Sequence, residues 1–190
     1  MSFEKQNLNK LFQNCLNDSA FQEVLSLVKT NSKGKIWIIG GFIYRNIVAQ
    51  INNTAPYNYD MDFIVEKKNK TLKKVAGWRI ENNSYNNPNY VTDSHKMSFT
   101  DMKKAVRISG MAKPTIDNFI LDTPLNIQSI AYDLKNNKLI GEKGIRALAD
   151  RIIAVNHLEQ AGFYAQRKNK TLNELINEKA HELGFKAILV

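Results

Sequence analysis

The chain has 190 residues, of which 43% are hydrophobic and 24% are charged, so it is long enough to bury the core of a globular domain. No apolar run approaches the roughly 20 residues of a membrane-spanning helix, and the first residues lack the pattern of a secretory signal. Lysine and arginine outnumber aspartate and glutamate by 27 to 18, and the formal charge of +9 favours polyanionic partners such as RNA or nucleoside triphosphates.

Two further compositional points concern the partner and the cellular compartment. Lysine runs are more often solvated surfaces than nucleic-acid grooves, so the charge supports an RNA partner without establishing one. A single cysteine, Cys15, and the lack of any zinc-binding Cys/His spacing are typical of a reducing compartment. We therefore expect a cytoplasmic protein.

The first half of the chain alternates helices with apolar strands. Helical periodicity covers the first thirty residues, and capping side chains at 17–19 predict two helices or one kinked helix there. A strand at 35–39 leads through Gly40-Gly41 into a helix at 42–52. A surface loop with Pro56 then precedes a strand at 60–65.

The middle of the chain gives weaker signals. A strand is predicted at 75–81, an Asn-rich loop around Pro88 and a short strand at 107–111. Residues 115–121 are predicted to form a buried strand that contains Asp117. An acid in a buried strand needs a partner or a metal ion, and the alternative is an exposed strand edge.

The last third predicts a β-hairpin followed by helices. The predicted elements are a hairpin with strands at 126–133 and 138–141, a helix at 143–149, a strand at 151–155, a helix capped by Asn156, and a last helix that starts with a Thr171–Glu174 capping box and ends near Gly184. We therefore predict an α+β fold with a mixed sheet flanked by helices. Residues 1–157 would form the catalytic domain, and residues 158–190 a helical tail packed on it.

Gly40-Gly41 and Asp60-x-Asp62 are the main candidates for chemistry. A glycine pair between a strand and a helix lets backbone N–H groups approach phosphate at the positive end of the helix dipole. Asp60 and Asp62 would point to one face of a strand, about 7 Å apart at Cα, where a divalent cation would offset their repulsion. The spacing predicts a nucleotide and metal site.

This succession of elements resembles the nucleotidyltransferase superfamily related to DNA polymerase beta. The pattern is most similar to the head domain of bacterial tRNA CCA-adding enzymes and poly(A) polymerases. Ile36 to Gly41 resembles its first strand and turn, Asp60 to Val65 its Asp-x-Asp strand, and Asp117 its third carboxylate. The stretch from Ile127 to Val155 is similar to the end of that domain, so the resemblance covers about residues 34–157.

The resemblance implies transfer of NMP from an NTP to a hydroxyl, with two Mg²⁺ ions, or Mn²⁺ in their place. Asp60, Asp62 and Asp117 would be the catalytic and metal-binding residues, with Asp117 approaching the acceptor hydroxyl. Gly40 and Gly41 would bind the β- and γ-phosphates, and Arg45 would add positive charge. RNA or tRNA is the favoured acceptor, and no membrane partner is expected.

Two departures leave the substrate open. Arg45 stands one place later than the family's arginine, a rotation of about 100° on a helix. Thr123-Pro124 stands where the family has Arg-Asp, and the chain ends about where the tRNA-binding helices of a CCA-adding enzyme would begin. The alternatives are transfer to a protein or small molecule, a catalytically silent nucleotide- or RNA-binding module, and a purely structural role for these residues.

Overall fold

The computed structural model describes residues 5–57, 60–82, 88–105 and 114–190. Within these ranges the prediction of an α+β fold with a mixed sheet flanked by helices is confirmed. The elements in chain order are α1 (Lys5–Cys15), α2 (Ser19–Thr30), β1 (Ser32–Ile39), α3 (Gly41–Ile51), β2 (Asp60–Lys68), β3 (Arg79–Asn82), β4 (Pro88–Val91), β5 (Lys96–Asp101), α4 (Met102–Ala105), α5 (Ile116–Leu121), a 3-10 turn (Asn126–Gln128), β6 (Ala131–Asp133), β7 (Lys138–Ile140), α6 (Glu142–Asp150), β8 (Ile152–Ile153), α7 (Leu158–Arg167), α8 (Leu172–Leu183) and β9 (Lys186–Ala187). None of the helices in these ranges is long and apolar enough to cross a bilayer.

Among the described residues, the main sheet has seven strands in the order β3-β4-β5-β2-β1-β6-β7, with β2 at its centre. The pairing of β2 with β5 is parallel, and the other pairings in this sheet are antiparallel. Strands β8 and β9 form a separate parallel pair. The Asp-x-Asp strand therefore lies in the middle of the molecule.

Each face of the sheet is covered because apolar side chains alternate along its central strands. On one face, Ile38 and Phe63 are buried with aromatic rings of α1, α2 and α3. The rings of Phe21 and Phe42 stack there with centroids 5.6 Å apart. On the other face, Trp37 and Ile64 belong to a second cluster with residues of α4 and α5.

The N-terminal segment forms two helices rather than one kinked helix. Asp18 caps the start of α2, because its Oδ1 accepts hydrogen bonds from the backbone N–H groups of Ala20 and Phe21, with distances of 2.9 and 3.2 Å. Capping by a side-chain oxygen satisfies helix donors that have no partner within the helix. The predicted break at 17–19 is confirmed, with Asp18 as the capping residue and Ser19 as the first residue of α2.

The predicted buried strand at 115–121 is wrong, because this segment forms helix α5. The hydroxyl of Thr115 caps the helix by accepting a hydrogen bond from the N–H of Asn118 at 3.2 Å. Ile116, Phe119 and Ile120 have helical spacing and pack against the second cluster. A six-residue apolar run fits either structure, and the cap and the tertiary contacts decide for the helix.

Other boundaries shift by a few residues. The strand predicted at 75–81 begins at Arg79, and Pro88 starts β4 rather than lying in a turn. The strand predicted at 107–111 lies outside the described residues. His157 rather than Asn156 caps α7, whereas the capping box of Thr171 and Glu174 and the end at Gly184 are confirmed.

The predicted hairpin is present in shorter form. Strands β6 and β7 are antiparallel and follow the 3-10 turn, which occupies the start of the predicted first strand. Asn137 in the connecting turn has a positive φ of 50°, which asparagine tolerates better than most residues. The Asn-Asn signal thus predicted the turn correctly.

Candidate active site

The turn between β1 and α3 places the backbone of Gly40 against an acidic side chain. Gly40 has a φ of 72° and a ψ of −146°, a conformation that side chains with a Cβ rarely adopt. A Cβ atom built at this position would lie 3.6 Å from Oδ2 of Asp62. The predicted phosphate-binding turn and the Asp-x-Asp strand therefore meet in space.

Strand β5 supplies the partners of both aspartates on β2. In the parallel register, Asp60 lies opposite Lys96 and Asp62 lies opposite Ser98. The Ser98 hydroxyl donates a hydrogen bond to Oδ1 of Asp62, and Lys96 Nζ lies 3.9 Å from Oδ1 of Asp60. Sequence reasoning missed Lys96 and Ser98, because nothing local in the chain predicts which strand lies beside β2.

The carboxyl group of Asp62 has an unusual proton affinity. Burial raises its pKa to about 6, and the negative charge of Asp60 acts in the same direction. The hydrogen bond from Ser98 and the charges of Lys96 and Arg45 oppose this rise. A carboxylate that is desolvated and close to a second acid gains from a bound cation, so Asp62 has the properties expected of a metal ligand.

Asp62 opens into a cleft of about 530 Å³. The cleft runs from the end of β1 and the central strands to α5 and α7, and it combines apolar walls with polar and basic groups. Its lining residues are Ile39, Gly40, Asp62, Phe63, Ile64, Ser98, Thr100, Lys104, Ala105, Phe119, Asp122, Thr123, Pro124, Gln128, Gln160, Phe163, Tyr164 and Arg167. We refer to this surface as the cleft.

Asp122 is a second acid of the cleft, and the sequence analysis did not single it out. It is buried, with 8% of its surface exposed, and it follows the last turn of α5. The side-chain Nδ2 of Asn156 lies 3.2 Å from the carbonyl oxygen of Leu121 and 2.9 Å from that of Thr123, so it holds the turn on both sides of Asp122. The signal that could have found it is an acid that ends an apolar run just before Thr123-Pro124.

Asp117 occupies a different environment. It lies in the first turn of α5 with an exposed side chain, and it is not among the described residues that line the cleft. Within the described ranges, no three His, Cys, Asp or Glu side chains are grouped in a way that could hold a metal ion. The structure brings Asp62 together with Gly40, but it does not assemble the predicted trio of Asp60, Asp62 and Asp117.

Arg45 lies one helical turn after the glycine pair. A Cβ atom at Gly41 would lie 2.7 Å from its Nη1, so the guanidinium group is next to the second glycine. Its Nε donates a hydrogen bond of 2.6 Å to Oε1 of Glu182 on α8, and its Cζ lies 4.5 Å from the centre of the Tyr57 ring. Arg45 also lines a separate groove of about 540 Å³ between α3 and α8. Asp62 and Gly40 line the cleft and not this groove, so the site is assigned to the cleft, although Asp60 is not among the described lining residues of either.

Comparison with known proteins gives a result at the level of fold. No protein-family model matches the chain, and no curated protein matches it. A solved CCA-adding enzyme in complex with ATP has a TM-score of 0.65 at 15% identity, covering 95% of this chain and 41% of that chain. A solved apo tRNA-processing enzyme has a TM-score of 0.57 at 18% identity, covering 92% and 44%.

A third solved structure is the CCA-adding enzyme of Thermotoga maritima complexed with tRNA, with a TM-score of 0.52 at 14% identity, covering 92% of this chain and 46% of that chain. The chain thus spans less than half the length of each of these proteins. At these identities the likeness concerns the fold. The chain has the fold of part of the CCA-adding and tRNA-processing enzymes, as its sequence resemblance implied.

Proposed function

We propose that this chain is a Mg²⁺-dependent nucleotidyltransferase that moves NMP from an NTP to an acceptor hydroxyl, with RNA as the favoured acceptor. The observation that carries the proposal is the approach of the Gly40 backbone to the Asp62 carboxylate inside the cleft. Solved proteins with this fold include CCA-adding enzymes in complex with ATP and with CTP. Nucleotide binding at the same place accounts for both residues.

The triphosphate would bind at the start of α3. The first N–H groups of a helix lack partners one turn earlier, and the helix dipole adds partial positive charge there. Because the N–H of Ile43 donates to the Gly40 carbonyl, those of Gly41 and Phe42 would bind the phosphate. Arg45 approaches Gly41 from the side of α8 and adds a full positive charge. Glu182 holds Nε of Arg45, which leaves the outer guanidinium nitrogens for a phosphate oxygen.

The carboxylates of Asp60 and Asp62 fit a hard divalent cation such as Mg²⁺, with Mn²⁺ as a substitute, because such ions prefer oxygen ligands. A cation bound there would lower the pKa of the acceptor hydroxyl and neutralise charge on the triphosphate. Ser98 would keep Asp62 oriented through its hydrogen bond. The acceptor oxygen would bond to the α-phosphorus as the bond to pyrophosphate breaks.

Helix α7 forms the far wall of the cleft and would contact the rest of the nucleotide or the acceptor. Gln160, Phe163, Tyr164 and Arg167 lie on one face of α7, because they are three or four positions apart, and all four line the cleft. Phe163 is 58% exposed, which is unusual for a large apolar ring and suits stacking on a base. An amide and a guanidinium beside it can hydrogen-bond base edges.

Labelled NTPs incubated with Mg²⁺ and total RNA give the direct test. Parent protein should label RNA and release pyrophosphate, whereas Asp60→Asn and Asp62→Asn should lose at least a hundredfold in rate. Asp150→Asn is the matched control, because Asp150 is exposed at the end of α6. Equal labelling by all four proteins would refute the role of the aspartates.

The identity of the acceptor is tested in the same experiment. Label in a protein or a small-molecule fraction instead of RNA would replace RNA as the acceptor while leaving the transferase chemistry intact. The net charge of +9 favours RNA because phosphates attract clustered lysine and arginine. RNA labelling should therefore weaken as the salt concentration rises.

A catalytically silent nucleotide-binding module is the second candidate. The observation in its favour is the cationic Lys96 beside Asp60, together with the lack of a third acid grouped with Asp60 and Asp62 among the described residues. Such a module would bind NTP, measured by calorimetry, without releasing pyrophosphate. Binding without turnover for every acceptor class would favour it over the transferase.

A further inference from the structure

Lys96 is built into the Asp60–Asp62 site by strand pairing. It lies directly opposite Asp60 in the parallel register of β2 and β5, as Ser98 lies opposite Asp62. Side chains two positions apart share a face, so these four residues form a polar rectangle on the central strands. Lys96 Nζ is 3.9 Å from Asp60 Oδ1, and its charge also acts on Asp62. The ammonium therefore belongs to the same electrostatic unit as both carboxylates.

The local charge differs from that of a bare aspartate pair. Two carboxylates supply two negative charges, and the Lys96 ammonium cancels one of them. Asp60 and Lys96 are only about one-third exposed, at 35% and 37% of their side chains, so water does not fully screen this charge. Within the described residues, no further acid is grouped with this pair to restore the balance. The site therefore holds less negative charge than two divalent cations require.

We propose that Lys96 takes the place of one of the two expected cations, so that the Asp60–Asp62 pair binds a single divalent ion. This inference rests on the proposed function, because it concerns the metal of that same site. The ammonium repels a second ion near Asp60 and offers its own positive charge to a phosphate oxygen. Lysine suits this role because its ammonium is a compact point charge on a flexible stem.

Mn²⁺ binding in the absence of nucleotide tests the proposal without any measurement of activity. Free Mn²⁺ is followed by electron paramagnetic resonance during titration of the whole chain. Wild-type protein should bind one ion. Lys96→Met should bind the first ion about tenfold more tightly and acquire a second site, because a unit positive charge near the ligands is gone. Lys96→Gln repeats the test if the methionine variant does not fold.

Two further variants separate charge from bulk. Lys96→Arg keeps the charge, so it should bind one ion with a Kd within about twofold of wild type. Lys67→Met makes the same change in net charge at an exposed lysine of β2, seven residues from Asp60 and therefore about 23 Å along the strand. It should also bind like wild type.

The outcomes distinguish this inference from the proposed function. Two ions on the wild-type protein, or the same isotherm for wild type and Lys96→Met, would overturn the role of Lys96 and leave the metal site standing. Binding only by the neutral variants would overturn the single-ion assignment. Absence of Mn²⁺ binding in every variant would instead remove the metal site on which the proposed function depends.

Discussion

Two walls of the cleft are held by different kinds of bond. The strand wall comprises Asp62 and Ser98, which are fixed by backbone pairing at the centre of the sheet, and Gly40, which follows the last paired residue of β1, Ile39. The turn wall, made of Asp122, Thr123 and Pro124, is held by the side-chain amide of Asn156, which reaches three carbonyl oxygens and one hydroxyl, and by the backbone N–H groups of Asn156 and His157, which donate to the Pro124 carbonyl. Backbone pairing survives most substitutions, whereas the side-chain contacts of Asn156 are all lost when its amide is removed. The two walls should therefore respond differently to mutation.

The largest effect should come from Asn156→Ala, which breaks the turn wall. Loss of the amide removes its hydrogen bonds to the carbonyls of Ile120, Leu121 and Thr123 and to the Thr123 hydroxyl, and we expect the free energy of unfolding to fall by about 2–3 kcal/mol. Urea denaturation measures this change. Asn52→Ala is the control, because the Asn52 side chain is exposed and accepts a long hydrogen bond of 3.4 Å from Arg151. A loss below that of the control would mean that the turn wall supports itself.

Asp62→Asn tests the strand wall, and it should raise the free energy of unfolding where Asn156→Ala lowers it. Burial raises the pKa of Asp62 to about 6, above the unfolded value near 3.9, so the charged form is disfavoured in the folded state. At pH 7 the variant should be about 2 kcal/mol more stable than wild type while losing transferase activity.

The difference in stability between Asp62→Asn and wild type should depend on pH. The folded state binds the Asp62 proton more tightly, so this group adds stability at low pH that is lost as pH rises from about 4 through about 6. The advantage of Asp62→Asn over wild type should therefore shrink as pH falls from 7 to 4. Urea denaturation across this range measures it, and an advantage that grows towards pH 4 would contradict the stated cause.

Asp117 and Asp122 are the two candidates for an acid outside β2 that serves the reaction. The sequence resemblance implied Asp117, whereas the acid that lines the cleft in the turn wall is Asp122. We expect Asp122→Asn to lower the transfer rate at least tenfold, about 1.4 kcal/mol, and Asp117→Asn to lower it less than threefold. The reverse order would restore Asp117 as the third carboxylate.

The smallest effect should come from Thr115→Ala at the start of α5. Loss of the cap should cost about 0.5–1 kcal/mol, because one helix N–H loses its partner. Hydrogen exchange should become faster in α5 and stay unchanged in β2. Faster exchange in both would show that the two walls form one cooperative unit.

The predictable part of the molecule is the part with short-range signals. The order strand, Gly40-Gly41, helix and Asp-x-Asp strand follows from apolar runs and glycine, and the hairpin and the Thr171 cap follow from local turn and capping chemistry. The parallel neighbour of β2 could not be predicted, because it begins more than thirty residues after Asp60 begins that strand. For this reason Lys96 and Ser98 escaped notice.

The lack of short-range signals also explains the other differences between the predicted and the observed structure. Helix α5 was mistaken for a strand because its six residues are too few to separate the two periodicities. The partner of Arg45, Glu182, lies 137 residues away, so no local pattern could indicate it. The assignment of residues 158–190 to a tail stays a prediction, although Gln160 and Tyr164 from that segment line the cleft.

The central, parallel position of β2 has a consequence for how the protein is made. Ser98 and Asp62 are 36 residues apart, and β5 can pair with β2 only after the intervening β3 and β4 have been accommodated. Long-range parallel pairing forms slowly, since a large loop must close before contacts stabilise it. During synthesis, a nascent chain that has not yet emerged beyond Asp101 cannot complete the polar rectangle. Nucleotide and metal binding should therefore be late events of folding that report a finished sheet.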